Sequence, residues 1–264
     1  MYELNFIRKR KRRIVAAIVG GVGAVGVTTL SIAAFLGRSV GSYTISLEAK
    51  SVKLTLSEKS DFVNRTSFLR LNDVGEFQEF TYSKFKNFGG DEAIDSEETD
   101  YTLGQNPDAT SSLNFLKYTF FIKNVGETSA KYNIAVKIND IHASSAGRDF
   151  EDTFRVMVYD NGERTVYAKR LANGRPTESG EVDYRAPISV SEADSSAAFP
   201  FEGYAEMFES SSEVMRDDGV EIDIGEVRRY TLVTWLEGFR SSGEGSSLED
   251  ATIKLGVEIN AYED

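Results

Sequence analysis

The sequence predicts a mainly β protein, in which one N-terminal transmembrane helix precedes an antiparallel, jelly-roll-like β-sandwich domain. Three observations predict this arrangement. Residues 14–36 contain no charged side chain. Beyond residue 42, apolar and polar residues alternate over several stretches, which is the pattern of strands. The chain has no cysteine, so the domain must be held by a buried core rather than by disulfides.

The N-terminus combines a basic cluster with an apolar segment. All six residues from Arg8 to Arg13 are basic, and the 23 residues that follow, 14–36, are uncharged. A helix of that length spans ~34 Å, enough for a hydrocarbon core of ~30 Å. Because basic residues stay in the cytoplasm, we expect a cytoplasmic tail over residues 1–13 and a signal-anchor helix in the cell membrane over residues 14–36. A short linker, residues 37–42, would lead to an extracellular domain over residues 43–264.

A cleaved signal peptide is the alternative interpretation of this segment. Secretory apolar regions usually span about 7–15 residues, which favours a retained anchor here. Ser31, Ile32 and Ala33 nevertheless form a small-x-small cleavage sequence. Cleavage there would release the domain into the medium as a secreted subunit.

The charge is unevenly distributed along the chain. Residues 1–38 hold seven basic residues and one acid, a net of +6. Of 30 basic and 42 acidic residues in total, the remainder holds 23 and 41, a net of −18. Since an acidic domain repels phosphate backbones, we expect no nucleic-acid partner. The expected partners are the membrane, through residues 14–36, and other surface proteins or copies of the chain itself.

Period-two alternation predicts strands that have one dry face and one wet face. A further strand is predicted through residues 230–237, where the only tryptophan, Trp235, is expected in the core. The dry faces of the three most regular strands are Leu116, Tyr118, Phe120 and Ile122; Tyr132, Ile134, Val136 and Ile138; and Ile253, Leu255, Val257 and Ile259.

Local patterns predict the connections between the strands. Asn161-Gly162 suits a type I′ hairpin turn, whose two central residues need φ > 0. Asn-Val-Gly-Glu at residues 124–127 predicts a second hairpin. Polar composition predicts loops at residues 87–112, 172–198 and 241–249, and a weak pattern predicts a short helix at residues 201–214.

The apolar pattern changes phase early in the domain. Ile45 and Leu47 lie in one phase, whereas Leu54 and Leu56 lie in the opposite phase. A slip of one residue moves side chains to the other face, so we expect a bulge or a crossing between sheets at Lys50-Ser51. Residues 43–57 either complete the domain's own sheet or add to the open edge of a neighbouring copy.

The residue counts argue against an enzyme. His142 is the only histidine, and the sequence contains neither the H-E-x-x-H zinc motif nor a G-x-S-x-G nucleophile elbow. We therefore expect no catalytic residues and no required cofactor, with His142 in a solvated loop. A hydrolase that uses a pair of carboxylates stays the alternative, because acidic residues are abundant.

Calcium is the one cofactor for which the sequence offers ligands. Hard oxygen ligands suit Ca²⁺, and Asp217, Asp218, Glu221 and Asp223 surround Gly219. The same residues are also explained as the exposed positions of an alternating strand.

Two segments resemble a known group of proteins. Residues 118–126 (Tyr-Thr-Phe-Phe-Ile-Lys-Asn-Val-Gly) and 132–136 (Tyr-Asn-Ile-Ala-Val) resemble the strand, N-x-G turn and returning strand of the TasA/camelysin group of Gram-positive surface proteins. Residues 229–238 are similar to strands of uncharacterised membrane-anchored Firmicutes β-domain proteins. Members of the TasA/camelysin group form extracellular matrix fibres or have been classed as metallopeptidases, and no catalytic residue of the second role has a match here.

The resemblance implies a structural or adhesive role at the bacterial cell surface. In the anchored form, the domain would act through its surfaces in adhesion. In the cleaved form, the chain would be a TasA-like subunit of biofilm-matrix fibres. A surface hydrolase or peptidase is the remaining alternative.

Overall fold

The computed structural model describes residues 41–49, 53–74, 76–77, 79–96, 112–142, 153–188, 203–237 and 252–262. The chain divides into two units, Met1–Gly37 and Arg38–Asp264. The predicted tail and anchor, together with the linker up to residue 40, lie outside the described residues. Within the ranges just given, no helix is both long and apolar enough to cross a membrane.

The described residues are mainly in strands, as predicted. A 3₁₀ helix (Tyr82–Phe88) and a short α-helix, α1 (Gly90–Ile94), lie between the fifth and sixth strands. In chain order the strands are β1 (Gly41–Ala49), β2 (Leu54–Ser57), β3 (Phe68–Val74), β4 (Glu76–Phe77), β5 (Glu79–Phe80), β6 (Ser112–Leu113), β7 (Phe115–Asn124), β8 (Ala130–His142), β9 (Phe154–Asp160), β10 (Glu163–Ala168), β11 (Arg175–Pro176), β12 (Val182–Asp183), β13 (Glu206–Met207), β14 (Glu213–Ile222), β15 (Val227–Glu237) and β16 (Thr252–Tyr262).

The strands form two main sheets of mixed direction. The five-stranded sheet has the order β14-β8-β16-β1-β3, and the seven-stranded sheet has the order β13-β10-β9-β15-β7-β2, with β5 also paired to β15. The prediction of purely antiparallel pairing is wrong, because β1 runs parallel to β16 along its whole length. β13 and β5 also pair in parallel. Alternation reports which faces are buried and carries no information on the direction of a distant partner strand.

The inner faces of the two sheets contribute to one hydrophobic core. The hydroxyl of Tyr43 donates to Oγ1 of Thr234 in the other sheet at 3.1 Å, and the hydroxyls of Tyr132 and Tyr230 lie 2.8 Å apart across the same core. Buried core members from the five-stranded sheet include Ile45, Ile134, Val257 and Ile259, and those from the seven-stranded sheet include Leu56, Tyr118, Phe120, Val156 and Leu232.

Several connections carry the chain from one sheet to the other, the β1–β2 and β7–β8 connections among them. β1 belongs to the five-stranded sheet and β2 to the seven-stranded sheet, so of the predicted bulge or crossing it is the crossing that is found. Lys50 and Ser51 themselves lie outside the described residues. The hairpin predicted at residues 124–127 is wrong: β7 and β8 lie in different sheets, so residues 125–129 form a second crossing. An Asn-x-Gly sequence reverses the chain locally but does not determine which sheet the next strand joins.

The hairpin predicted at Asn161-Gly162 is confirmed. β9 and β10 pair antiparallel on either side of these two residues. Asn161 has φ 51° and Gly162 has φ 99°, the left-handed conformation that a type I′ turn requires at both positions.

The outer faces of the two sheets differ. On the five-stranded sheet, ion pairs such as Lys131–Glu221 and Lys254–Asp140 cover the face, as predicted for a wet surface. On the seven-stranded sheet, the predicted wet face of β7 is wrong, since Lys117, Thr119 and Phe121 are all buried. A second apolar cluster lies over this face.

Residues 81–96, which we call the strap, form much of that cover. Tyr82, Phe85 and Ile94 of the strap are buried in a cluster with Phe115 and Trp235 of the sheet. The rings of Phe85 and Trp235 meet edge to face, with centroids 5.2 Å apart. Trp235 is therefore in a core, as predicted, although it is the core beneath the strap.

The remaining expectations fall in the connections. The loop predicted at residues 87–112 contains α1, and its residues 97–111 lie outside the described part. The helix predicted at residues 201–214 is wrong, because this stretch forms β13 and the start of β14. Within the loop predicted at residues 172–198, β11 and β12 form a small hairpin. The loop predicted at residues 241–249 lies outside the described residues.

Candidate functional site

Three connections meet at the end of the domain opposite Gly41. β1 starts at Gly41, beside Ile253, and ends at Ala49, beside Ala261. At that second end lie Lys53 before β2, residues 125–129 between β7 and β8, and residues 223–226 between β14 and β15. We call these residues, together with Asn124, the tip.

Asn124 holds the tip together from a buried position. Its Nδ2 donates to the carbonyl oxygens of Thr128 at 2.8 Å and Ile222 at 3.2 Å, and its Oδ1 accepts from the backbone N–H of Gly126 at 2.9 Å. Its own N–H donates to Glu226, and its carbonyl accepts from Gly225. One side chain that is 1% exposed therefore satisfies groups from two separate connections.

The turn after β14 is held by its own polar groups. The N–H of Glu226 donates to the carbonyl of Asp223 at 3.0 Å, and Gly225 takes φ 76°. The N–H of Asp223 donates to Oε2 of Glu226 at 2.7 Å. The hydroxyl of Ser129 donates to Oδ1 of Asp223 at 2.9 Å, which ties this turn to the β7–β8 crossing.

Two aliphatic side chains project from this fixed backbone. Val125 is 37% exposed and Ile224 is 59% exposed. Because Asn124 pairs with Gly225 and Glu226, the two side chains sit on adjacent segments. Carboxylates adjoin them in sequence, namely Glu127, Asp223 and Glu226. The tip therefore presents two exposed aliphatic side chains, three carboxylates and the basic Lys53 on a preorganised backbone, which lowers the entropy cost of binding a partner.

The four predicted calcium ligands lie near the tip but have other partners. Glu221 pairs with Lys131 at 3.5 Å, Asp218 lies 3.6 Å from Arg216, and Asp223 accepts from Ser129. Asp217 is paired through its backbone with Ile134. In the part of the chain that is described, no group of three or more acidic or histidine side chains is arranged to hold a metal ion.

His142, the only histidine, ends β8 and pairs through its backbone with Thr252. Its side chain lies outside the described part of the structure. The loop expected at His142 is wrong, because this residue closes a strand, whereas the solvation of its side chain stays a prediction.

A second polar site lies under the strap. Oδ1 of Asp95 accepts from the hydroxyl of Thr231 at 3.0 Å, and its other oxygen pairs with Arg229. Thr231 in turn shares a 3.0 Å hydrogen bond with Thr119. Lys117, which is buried, places Nζ 2.5 Å from Oγ of Ser96. This network fixes the C-terminal end of the strap to β7 and β15.

The N-terminal end of α1 is attached to β9 and β10 through Asp91. Oδ1 of Asp91 accepts from the phenol of Tyr159 at 2.6 Å, and Arg164 donates to both oxygens of Asp91 at 2.8 and 2.9 Å. Burial raises the pKa of Tyr159, and the hydrogen bond to Asp91 raises it further. At the start of the strap, the carboxylate of Glu237 accepts from the N–H of Tyr82 and from Nε1 of Trp235.

Comparison of the chain with protein-family models, with curated proteins and with solved structures gives no match. The resemblance of residues 118–126 and 132–136 to the TasA/camelysin group therefore stays a prediction.

The sequence did not indicate the role of Asn124 or of the strap. The Asn-x-Gly pattern marked Asn124 as a turn residue, but its bond to Ile222 joins residues 98 positions apart. The signal in the sequence was an Asn at the end of a strongly apolar strand, since Asn side chains there often bond to neighbouring backbone groups. For the strap, the signal was the run of aromatic residues at Tyr82, Phe85 and Phe88 within an otherwise polar stretch.

Proposed function

We propose that the chain is a membrane-anchored bacterial cell-surface protein whose domain has a structural or adhesive role. Residues 14–36 would be the anchor, and the two sheets that share one core would form a β-sandwich displayed outside the cell. The observation that carries the adhesive role is the tip, where Asn124 fixes a backbone that exposes Val125 and Ile224.

The charge of the tip indicates the kind of partner. Its exposed acids, Glu127 and Asp223, belong to a region whose net charge is −18. Two copies that met through this end would bring like charges together, which costs free energy. A different surface protein, with an apolar patch and a basic rim, fits better than a second copy.

Cell adhesion tests the proposal. Cells that carry the full-length chain should adhere to one another or to a surface more strongly than cells from which it is deleted. The double substitution Val125→Ser with Ile224→Ser should reduce adhesion to the level of the deletion. A matched control replaces Val182 and Met207, which are 52% and 42% exposed, with serine and should leave adhesion unchanged. Met207 pairs beside Ala168 at the far end of β10. Equal adhesion in all four strains would contradict the adhesive role.

The alternative of a secreted matrix-fibre subunit differs in its N-terminus. Sequencing the mature protein separates the two forms. A start at Met1 or Tyr2 in the membrane fraction supports the anchor, whereas a start near Ala34 in the medium supports cleavage and secretion.

A second candidate function, a surface hydrolase, is favoured by the contact between Ser96 and Lys117. A lysine beside a serine can act as the base that activates a nucleophile. Lys117 also reaches the backbone carbonyl of Ser96 at 3.5 Å, which suits an attachment of the strap. A fluorophosphonate probe decides between these roles: labelling of the full chain that is lost in Ser96→Ala supports a hydrolase, and absence of labelling rejects a reactive serine.

A further inference from the structure

The chain enters the domain through a strand that is held on both sides. β1 pairs in parallel with β16 from Gly41↔Ile253 to Ala49↔Ala261, and antiparallel with β3 on its other edge. It is therefore an interior strand of the five-stranded sheet, and Gly41 is the first described residue after the predicted anchor.

Side chains of β1 are also anchored in the hydrophobic core. Tyr43 and Ile45 are fully buried, Leu47 is nearly so, and the hydroxyl of Tyr43 bonds to Thr234 of the other sheet. Sliding β1 by one residue would turn its buried side chains to the opposite face. The smallest slip that restores the pleat is two residues, roughly 7 Å, over which the pairing with both neighbours must break.

The direction of a pull along β1 decides how these bonds are loaded. The tip lies at the Ala49 end of β1, so tension between Gly41 and the tip acts along the strand. The hydrogen bonds of β1 to the antiparallel β3 are perpendicular to the strand, and those to the parallel β16 are slanted across it. A pull along the strand therefore loads the bonds of both ladders together. Gly41 and Asp140 lie at the same end of the five-stranded sheet. A pull between them instead breaks the backbone pairs of β1 one after another, starting at Gly41.

We infer that β1, clamped between β16 and β3, lets the domain resist tension between its N-terminal tether and the tip. The inference goes beyond the proposed adhesion and rests on it only for the source of the force. Under forced unfolding the barrier along the pulling direction sets the rate. Two pulling directions can therefore give different unfolding rates in molecules that have the same free energy of unfolding.

Single-molecule force measurements on the full-length chain in detergent test this inference. The chain has no native cysteine, so one introduced cysteine gives a unique attachment point. One molecule is held by its N-terminus and by Ile224→Cys at the tip, and the control is held by its N-terminus and by Asp140→Cys. Asp140 is exposed beside Lys254 and lies at the Gly41 end. Urea unfolding of both variants checks that their stabilities match.

We expect the tip attachment to unfold at least about tenfold more slowly at equal force, which corresponds to ~1.4 kcal/mol of additional barrier. Equal rates, or faster unfolding through the tip, would overturn the inference. Because both handles are attached chemically, this result does not depend on adhesion. If the chain proves not to be adhesive, slow unfolding through the tip attachment would still support the inference. If unfolding through the tip is fast, the inference fails but the adhesion result still stands.

Discussion

The side chain of Asn124 donates to the carbonyl oxygen of Ile222 at 3.2 Å, and this bond joins the two sheets at the tip. Asn124 ends β7 of the seven-stranded sheet, and Ile222 ends β14 of the five-stranded sheet. The same Nδ2 donates to Thr128 in the crossing to β8. Asn124 thus bonds to both connections that present Val125 and Ile224, alongside the Ser129–Asp223 hydrogen bond.

Asn124→Ala should destabilise the domain. The substitution leaves the carbonyls of Thr128 and Ile222 and the N–H of Gly126 without their side-chain partner. Unsatisfied buried groups cost ~1–3 kcal/mol each, and part of the tip is open to water, so we expect a total loss of about 2–4 kcal/mol. Urea unfolding measures this loss. Asn87→Ala, at an exposed position of the 3₁₀ helix, is the control and should change stability little; equal effects of the two would contradict the role of Asn124.

Asp95→Ala should loosen the strap. Arg229 and Thr231 lose their shared acceptor, so the C-terminal end of the strap should detach from β15. Trp235, the only tryptophan, reports this change because it is buried beneath the strap. Its emission should move to longer wavelength and be quenched more by acrylamide. Glu92→Ala, on the exposed side of α1, should leave both readouts unchanged. If Asp95→Ala has no effect either, its carboxylate is not needed to hold the strap, and the remaining contacts, such as those of Asp91 and Ser96, are sufficient.

Alkaline pH should unfold the domain through its buried tyrosines. Burial raises the pKa of Tyr43, Tyr132 and Tyr230 above the ordinary value. Above pH ~10 these phenols ionise in the unfolded chain but not in the folded one, so stability falls as pH rises. The loss is ~1.4 kcal/mol per pH unit for each such tyrosine. Below pH ~10 this contribution to stability is fully present.

Circular dichroism and phenolate absorbance across pH 9–12 follow this titration. We expect the late phenolate signal to rise together with unfolding. Tyr43→Phe should make the fall of the unfolding free energy with pH less steep, by the contribution of one buried phenol. Ionisation of all tyrosines while the dichroism spectrum stays native would contradict the burial of these phenols.

Deletion of residues 43–57 should prevent folding. The structure places β1 inside the chain's own sheet, as one of the two predicted alternatives stated. The deletion removes Tyr43, Ile45, Leu47, Leu54 and Leu56 from the core. At about 1.5–3 kcal/mol for each buried side chain, the loss matches or exceeds a typical stability of ~5–15 kcal/mol. A folded, monomeric deletion variant that binds the missing segment as a peptide would instead support strand exchange between copies.

The features that the sequence predicted correctly have local causes. Alternation at Tyr132, Ile134 and Val136 reflects burial of one strand face, and Asn161-Gly162 encodes its own turn conformation. The change of phase between Leu47 and Leu54 is visible in the sequence as a shift of the apolar residues from odd to even positions. Each signal lies within a few residues of the structure that it produces.

The features that the sequence did not reveal depend on distant partners. Lys117 and Thr119 are polar and alternate with apolar neighbours, so the pattern predicts a solvent-exposed face. They are buried because residues 81–96 pack over them. The parallel direction of β1 is set by β16, which begins about 200 residues later in the chain. The calcium hypothesis treated Asp217, Asp218, Glu221 and Asp223 as one group, whereas three of them bind to Arg216, Lys131 and Ser129.

Protease treatment of intact cells tests whether the domain is displayed outside the cell on an N-terminal anchor. We expect that protease added to cells lacking an outer membrane removes the domain, residues 43–264, and leaves a short membrane-bound N-terminal fragment. A cytoplasmic protein in the same cells should stay intact as the control. Protection of the domain until the cells are lysed would contradict the proposed topology and, with it, the adhesive role of the tip.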